Sequence, residues 1–116
     1  MSMPEVYQNL INALEDKTLN GQLKWNNDDG ENFDSIYSSF IGEGNIVKIW
    51  SGVDETGREY VSFSLHNELG YRLDSWYVDE GERGFNQMKN LYDTVRRNAN
   101  GVLETLHNLE VILSKP

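Results

Sequence analysis

The chain has 116 residues, a formal net charge of −9 and no cysteine. Its length fits one domain, spanning residues 1–116, that can build a single hydrophobic core. The missing cysteine excludes disulfides and thiolate metal sites. The acidic balance opposes binding to nucleic acid, which depends largely on Lys and Arg that neutralise phosphates.

Targeting and membrane-spanning segments are not evident in the sequence. Residues 1–5 lack a basic region followed by an apolar run. No stretch approaches the ~18–20 consecutive apolar residues that a membrane span needs. We therefore expect a cytoplasmic protein that does not contact membranes. The negative charge favours solubility, and it also suits a basic partner.

An N-terminal helix is predicted by the spacing of its apolar residues. Tyr7, Leu10, Ile11 and Leu14 recur at helical intervals, so they form one stripe that faces a core. Asn20-Gly21 predicts the end of this helix, because Gly accepts the left-handed conformation found after a helix C-terminus.

The middle of the chain predicts four strands, at residues 33–41, 45–53, 59–66 and 71–78. The segments between them are short and each contains Gly, which is typical of hairpins. Short connections require antiparallel neighbours, because a parallel crossover needs a dozen residues or more. The sequence therefore predicts an α+β fold with an antiparallel meander in the order 1-2-3-4.

The C-terminal third carries an apolar stripe with heptad spacing. Its members alternate steps of three and four: Phe85, Met88, Tyr92, Val95, Ala99, Val102, Leu106, Leu109 and Leu113. Because this phase survives Gly101, the pattern favours one continuous helix, with a break and reversal at Gly101 as the alternative. A continuous helix of about 30 residues would be ~45 Å long, which is longer than the sheet can cover. The end of the stripe, Val102, Leu106, Leu109 and Leu113, is therefore predicted to pack against a second chain.

One face of the predicted sheet is a candidate binding surface. Placing Val47, Val61 and Leu73 toward the helices leaves aromatic and basic residues on the other face, because side chains alternate along a strand. The candidate residues are Tyr37, Lys48, Trp50, Tyr60, His66, Arg72 and Trp76. Rings on this face could stack on a ligand or bind a cation. An ordinary solvated face, or one covered by another subunit, explains the same pattern.

Adjacent arginines on the last helix are a candidate anion contact. Arg96 and Arg97 could bind a carboxylate or phosphate. Asp93 lies one turn before them, and pairing with this carboxylate explains them equally well.

No motif predicts catalysis, a metal site or a cofactor. His66 and His107 lack the spacing of metal ligands. A serine near His66, with Asp74 as the orienting acid, would resemble a hydrolytic triad, but no nucleophile elbow is present. We therefore expect a protein that is not an enzyme and that binds no cofactor.

Residues 91–102 contain short motifs that resemble those of a group of known proteins. Leu91-Tyr92, the Arg96-Arg97 pair and Ala99-x-Gly101-Val102, together with Gly21-x-Leu23-x-Trp25, are similar to motifs in small uncharacterised bacterial proteins. Those proteins have a helix, an antiparallel sheet and a final helix. The resemblance implies an α+β fold and no particular activity.

These patterns favour a non-enzymatic protein-interaction or regulatory module, with a second copy of the chain as the expected partner. The alternative is a protein that binds a small molecule or nucleotide on the aromatic and basic face of the sheet. The two hypotheses place the working surface on the last helix and on the sheet, respectively.

Overall fold

The computed structural model describes residues 2–28 and 36–116. Helix α1 spans Gln8–Leu19 and comes before the sheet, after a 3-10 turn at Glu5–Tyr7. Helix α2 spans Phe85–Ala99 and comes directly after the sheet. A third helix, α3, spans Val102–Leu113. The strands are β1 (Asn26–Asn27), β2 (Tyr37–Ile41), β3 (Asn45–Val53), β4 (Glu59–His66) and β5 (Arg72–Asp79). The expected α+β class is confirmed.

The sheet is an antiparallel meander in the order β1-β2-β3-β4-β5. Strands β3 and β4 have the predicted bounds, and β5 begins and ends one residue later than predicted. The prediction of four strands missed β1, where Asn26 pairs with Ser38; a strand of two polar residues has no alternation to detect. Residues 33–35 of the first predicted strand lie outside the described residues.

A bulge in β5 changes which side chains face the helices. His66 pairs with Arg72 and Leu65 pairs with Asp74, so Leu73 has no partner in β4. One unpaired residue shifts the alternation by one position, which moves the following side chains to the other face. Leu73 was predicted to face the helices, and it is exposed instead.

The helices cover one face of the sheet. Helix α2 packs across β2 to β5, and α1 packs against α2. We call the covered side the inner face and the other side the outer face. The core between sheet and helices contains Tyr7, Ile11, Leu14, Trp25, Tyr37, Val47, Ile49, Val61, Phe63, Trp76, Val78, Met88, Leu91, Tyr92 and Val95.

The connector after α1 is held between two helices by a polar clamp. The backbone N–H of Trp25 donates to Asn98 Oδ1 at 3.0 Å, and Asn98 Nδ2 donates to the carbonyl oxygen of Leu23 at 3.1 Å. The indole N–H of Trp25 donates to Thr18 Oγ1 at 2.9 Å. The two bonds of Asn98 satisfy backbone groups of the connector that have no sheet or helix partner. Together with the indole bond, they hold the end of α1 near the end of α2.

The prediction of one continuous C-terminal helix was wrong, because the helix breaks at Gly101. Gly101 has φ 74°, a left-handed conformation that Gly adopts without a Cβ clash. The N–H groups of Asn100 and Gly101 bond to the carbonyls of Arg96 and Asn98, which closes α2. Thr105 N–H then bonds to the Gly101 carbonyl and starts α3.

Helix α3 projects from the body. It contains no buried residue, whereas α2 buries six: Phe85, Met88, Leu91, Tyr92, Thr94 and Val95. The Cα radius of gyration is 15.2 Å, larger than the ~13 Å expected for a compact chain of this length. No helix in the described ranges combines the length and apolar content that a membrane crossing requires.

Candidate functional site

The outer face of the sheet carries five residues of the predicted binding surface. Directly opposite residues share a face, and the strand pairs Lys48–Ser64, Trp50–Ser62 and His66–Arg72 place their members together on this side. Small hydroxyl residues form its floor, since Ser62 and Ser64 are buried under larger neighbours. The predicted residues on this face are Lys48, Trp50, Tyr60, His66 and Arg72.

Two residues of the predicted surface lie in the core instead. Tyr37 pairs with Ile49, so it faces α2, and its ring meets the Tyr92 ring edge-on at 5.9 Å between centroids. Trp76 follows the β5 bulge and stacks on Phe63 at 5.4 Å. Both are about 3% exposed. Neither ring is available to a ligand on the outer face.

Asp74 also lies on the inner face, where it binds Tyr7. The Tyr7 hydroxyl donates to Asp74 Oδ2 at 2.7 Å. Burial of the hydroxyl, and then the bond to the Asp74 carboxylate, raise the pKa of Tyr7 to about 12. Tyr7 therefore stays a neutral donor throughout the physiological range, and the contact anchors the start of α1 to the bulge.

The histidine on the outer face is not part of a hydrolytic triad. His66 Nε2 lies 2.8 Å from Ser64 Oγ, and Nδ1 lies 3.3 Å from the carbonyl oxygen of Gly70. In the neutral imidazole, Nδ1 must donate to that carbonyl, so Nε2 accepts from Ser64. Asp74, the expected orienting acid, is on the other face, and Ser64 is only 4% exposed. Among the described residues, no group of His, Asp and Glu is arranged to hold a metal ion.

The side chains of the two arginines on α2 point in different directions. Arg96 Nη2 lies 3.8 Å from Asp93 Oδ1, the pairing that the sequence offered as the alternative to an anion site. Arg97 points to solvent, about 100° further round the helix, because consecutive helical residues do not face one another. The pair therefore does not form one clasp in this conformation.

The apolar stripe on α3 faces away from the body. Leu103, Glu104 and His107 line a cleft of about 440 Å³ at the end of α1, so this side of α3 faces its own chain. The four stripe residues lie on roughly the opposite side of the helix, and all four are exposed, by 38% to 82%: Val102, Leu106, Leu109 and Leu113.

A cavity on the outer face was not foreseen from the sequence. It has a volume of about 330 Å³ and is lined by Asp54, Tyr60, Ser62, Tyr77 and Asp79. Tyr77 and Asp79 were missed because the unrecognised bulge placed the wrong residues of β5 on this face. The signal that could have found them is Val78, an apolar residue in phase with Trp76 and out of phase with Leu73.

Comparison with known protein families, with curated proteins and with solved structures finds no match to this chain. The fold and the surfaces described above are therefore the basis for a functional proposal.

Proposed function

We propose that this protein is a non-enzymatic interaction module that associates with a second copy of itself through α3. The observation that carries the proposal is the orientation of the α3 stripe, which faces away from the body. Aligned apolar side chains on one exposed helix face are typical of interaction sites. Their burial would stabilise a complex by roughly 25 cal/mol per Å² of apolar surface.

The spacing of the stripe favours a second copy as the partner. Its four residues are separated by four, three and four positions, a pattern that reads the same in both chain directions. Two such helices paired antiparallel about a twofold axis place Leu106 against the partner's Leu109. The same register places Val102 against the partner's Leu113. Every stripe residue then meets an apolar residue, as a self-complementary interface requires.

The charges beside the stripe fit the same register. Glu110 borders the stripe on the same flank as Leu103, and the twofold axis brings this flank against the same flank of the partner, so the neighbour of Glu110 there is the partner's Leu103. Ile112, which is 59% exposed, lies on the other flank together with Thr105, and it comes beside the partner's Thr105. Antiparallel helix dipoles attract one another. The two Glu110 residues of the pair share a flank but are offset by ~7.5 Å along the helix axis, so neither lies directly opposite the other.

The size of the stripe predicts a weak dimer. A helix of 12 residues is ~18 Å long, and one such contact is small beside the ~800 Å² per partner of a standard interface. Small interfaces of this kind are typical of transient association. We expect a dissociation constant in the micromolar range.

Sedimentation equilibrium on the full chain tests the proposal. Runs from about 1 to 500 μM span the dissociation constants that a small interface gives. We expect a monomer–dimer equilibrium in the native sequence and a monomer throughout for Leu109→Glu. That substitution puts a charge opposite the partner's Leu106, where burying an unpaired carboxylate is costly.

Val111→Glu is the matched control. Val111 is also on α3 and is 45% exposed, against 47% for Leu109, but it lies on the opposite side of the helix from the stripe. We expect this variant to dimerise like the native chain. A monomeric native chain at the highest concentration, or equal effects of the two glutamates, would contradict the proposal.

A further inference from the structure

The cavity on the outer face has aromatic walls. The rings of Tyr60 and Tyr77 stand 6.4 Å apart between centroids at an interplanar angle of 74°. Two rings at nearly right angles present a π-face and a ring edge to the same space. Trp50 lies beside them, because it pairs with Ser62 on the cavity floor.

Gly52 determines the position of one wall. A Cβ at residue 52 would lie 2.5 Å from the Tyr60 hydroxyl oxygen and 2.7 Å from its ring carbon Cζ. Real side chains do not approach so closely. The missing side chain of Gly52 is therefore what allows the Tyr60 ring to lie across β3 beside the cavity.

Carboxylates line the same cavity. Asp54 follows the end of β3, and Asp79 pairs with Tyr60 in β5. Asp54 Oδ1 accepts bonds from Thr56 Oγ1 at 2.6 Å, from Thr56 N at 2.9 Å and from Arg58 N at 3.0 Å. The Thr56 hydroxyl bond, followed by the Arg58 backbone bond, lowers the pKa of Asp54. Asp54 is thus an anion at neutral pH, and no Lys, Arg or His is among the described residues that line the cavity.

We propose that this cavity binds an organic cation, an ammonium or guanidinium group held between the Tyr60 and Tyr77 rings and the two carboxylates. Ring faces attract cations through their quadrupole, and the carboxylates add charge-assisted contacts. The net charge of −9 raises the local concentration of cations around the chain. The volume of about 330 Å³ is near the lower end of small-ligand pockets, which suits a cationic head group rather than a whole nucleotide.

The proposal does not depend on self-association, because the cavity contains no residue of α3. The same cation chemistry has two sources: a free quaternary or primary amine, and a lysine or arginine side chain of another polypeptide. Both would enter the cavity from the open outer face.

Amide chemical-shift titration of the full chain provides the test. The probes are choline, its neutral isostere 3,3-dimethylbutanol, and capped tripeptides with a central lysine or arginine. We expect saturable shifts at residues 60–62 and 77–79 with the cations, at dissociation constants of about 1–10 mM for a single exposed cation–π site. The neutral isostere should bind at least tenfold more weakly.

Two substitutions at the cavity have a matched control elsewhere. Tyr77→Leu removes a wall at a position that is 45% exposed, so the fold should persist, and we expect binding to weaken at least tenfold. Asp54→Asn removes the charge while keeping an amide oxygen as acceptor, and we expect a several-fold loss. Asp16→Asn makes the same change of charge on the exposed surface of α1, and binding should be unchanged.

The titrations distinguish the two sources of the cation, and they also test whether the cavity binds a cation at all. A tripeptide that binds at least tenfold more tightly than choline assigns the site to a partner's basic side chain, and the reverse order assigns it to a free quaternary amine. No saturable shift with any cation, equal binding of the neutral isostere, or native affinity in both Tyr77→Leu and Asp54→Asn would overturn the proposal. If sedimentation shows that the native chain is a monomer, the proposed cation site is unaffected.

Discussion

A single residue in the β2–β3 turn has a backbone conformation that its side chain disfavours. Glu43 has φ 65° and Gly44 has φ 84°, which are the positive values that a type I′ turn requires at both central positions. Gly44 accepts this conformation freely, whereas Glu43 carries a Cβ that strains it. Asn is better suited to this position, because Asn-Gly is the preferred pair for this turn.

We therefore expect Glu43→Asn to raise the free energy of unfolding by about 0.5–1 kcal/mol, by relieving left-handed strain. Chemical denaturation at equilibrium measures the change. Glu55→Asn is the control: it makes the same change of charge in another turn, at a residue without positive φ. A gain in the control as large as that in Glu43→Asn would attribute the effect to charge instead.

Alternation in the sequence predicts the face of a side chain correctly where neighbouring residues alone determine that face. It placed Val61, Phe63 and Leu65 of β4 on the helix side correctly, because their alternation has no interruption. It misplaced Trp76, because the bulge at Leu73 depends on pairing with another strand. Tyr37 was misplaced for the same kind of reason, since only the register with Ile49 fixes its face.

At the scale of elements, the connector between α1 and β1 is fixed by one side chain of a distant helix. Asn98 satisfies the Trp25 N–H and the Leu23 carbonyl together. The motif residues Leu23, Trp25 and Ala99 surround this clamp, and Leu91 and Tyr92 are buried in the core. These five residues therefore have structural roles.

We expect Asn98→Ala to lower the free energy of unfolding by about 1–3 kcal/mol, because it leaves two partly buried backbone groups without their partner. Asn90→Ala, on the exposed side of the same helix, removes an amide that makes no such bonds and should cost less than about 0.5 kcal/mol. Thermal and urea unfolding would measure both. Near-equal losses would mean that the clamp adds nothing beyond helix propensity.

The break at Gly101 shows why helix phase alone was misleading. The heptad spacing continues from Val95 through Ala99 to Val102, so the pattern favoured one helix. The local signal, Asn100-Gly101, is also a common helix ending, and in the structure this local signal prevails. The stripe is continuous in sequence while its two halves face different surroundings: the sheet for α2, and solvent for α3.

At the scale of the whole molecule, charge opposes one proposed interaction and supports the other. Each chain carries −9, so two copies repel through solvent, whereas a cation is attracted. The screening length falls from roughly 14 Å at 0.05 M salt to roughly 4 Å at 0.5 M. The two equilibria should therefore respond to salt in opposite directions.

We expect the dimer to tighten, and choline binding to weaken, as sodium chloride is raised over this range. Sedimentation equilibrium and chemical-shift titration on the same preparation give the two constants. Leu109→Glu should stay monomeric at both salt concentrations, and so serves as the reference for the first measurement. A dimer that weakens with salt would indicate an interface held by ion pairs rather than by the apolar stripe.

The exposure of α3 has a consequence for how this chain can change over evolutionary time. None of its 12 residues is fully buried, so most replacements there cost the folded domain little, whereas replacing any of the six buried residues of α2 would disturb the core. Mutations in α3 can thus accumulate without being removed by selection for folding. The partner contact that we propose for α3 is therefore free to diverge between descendants of this protein while the domain that carries α3 stays the same.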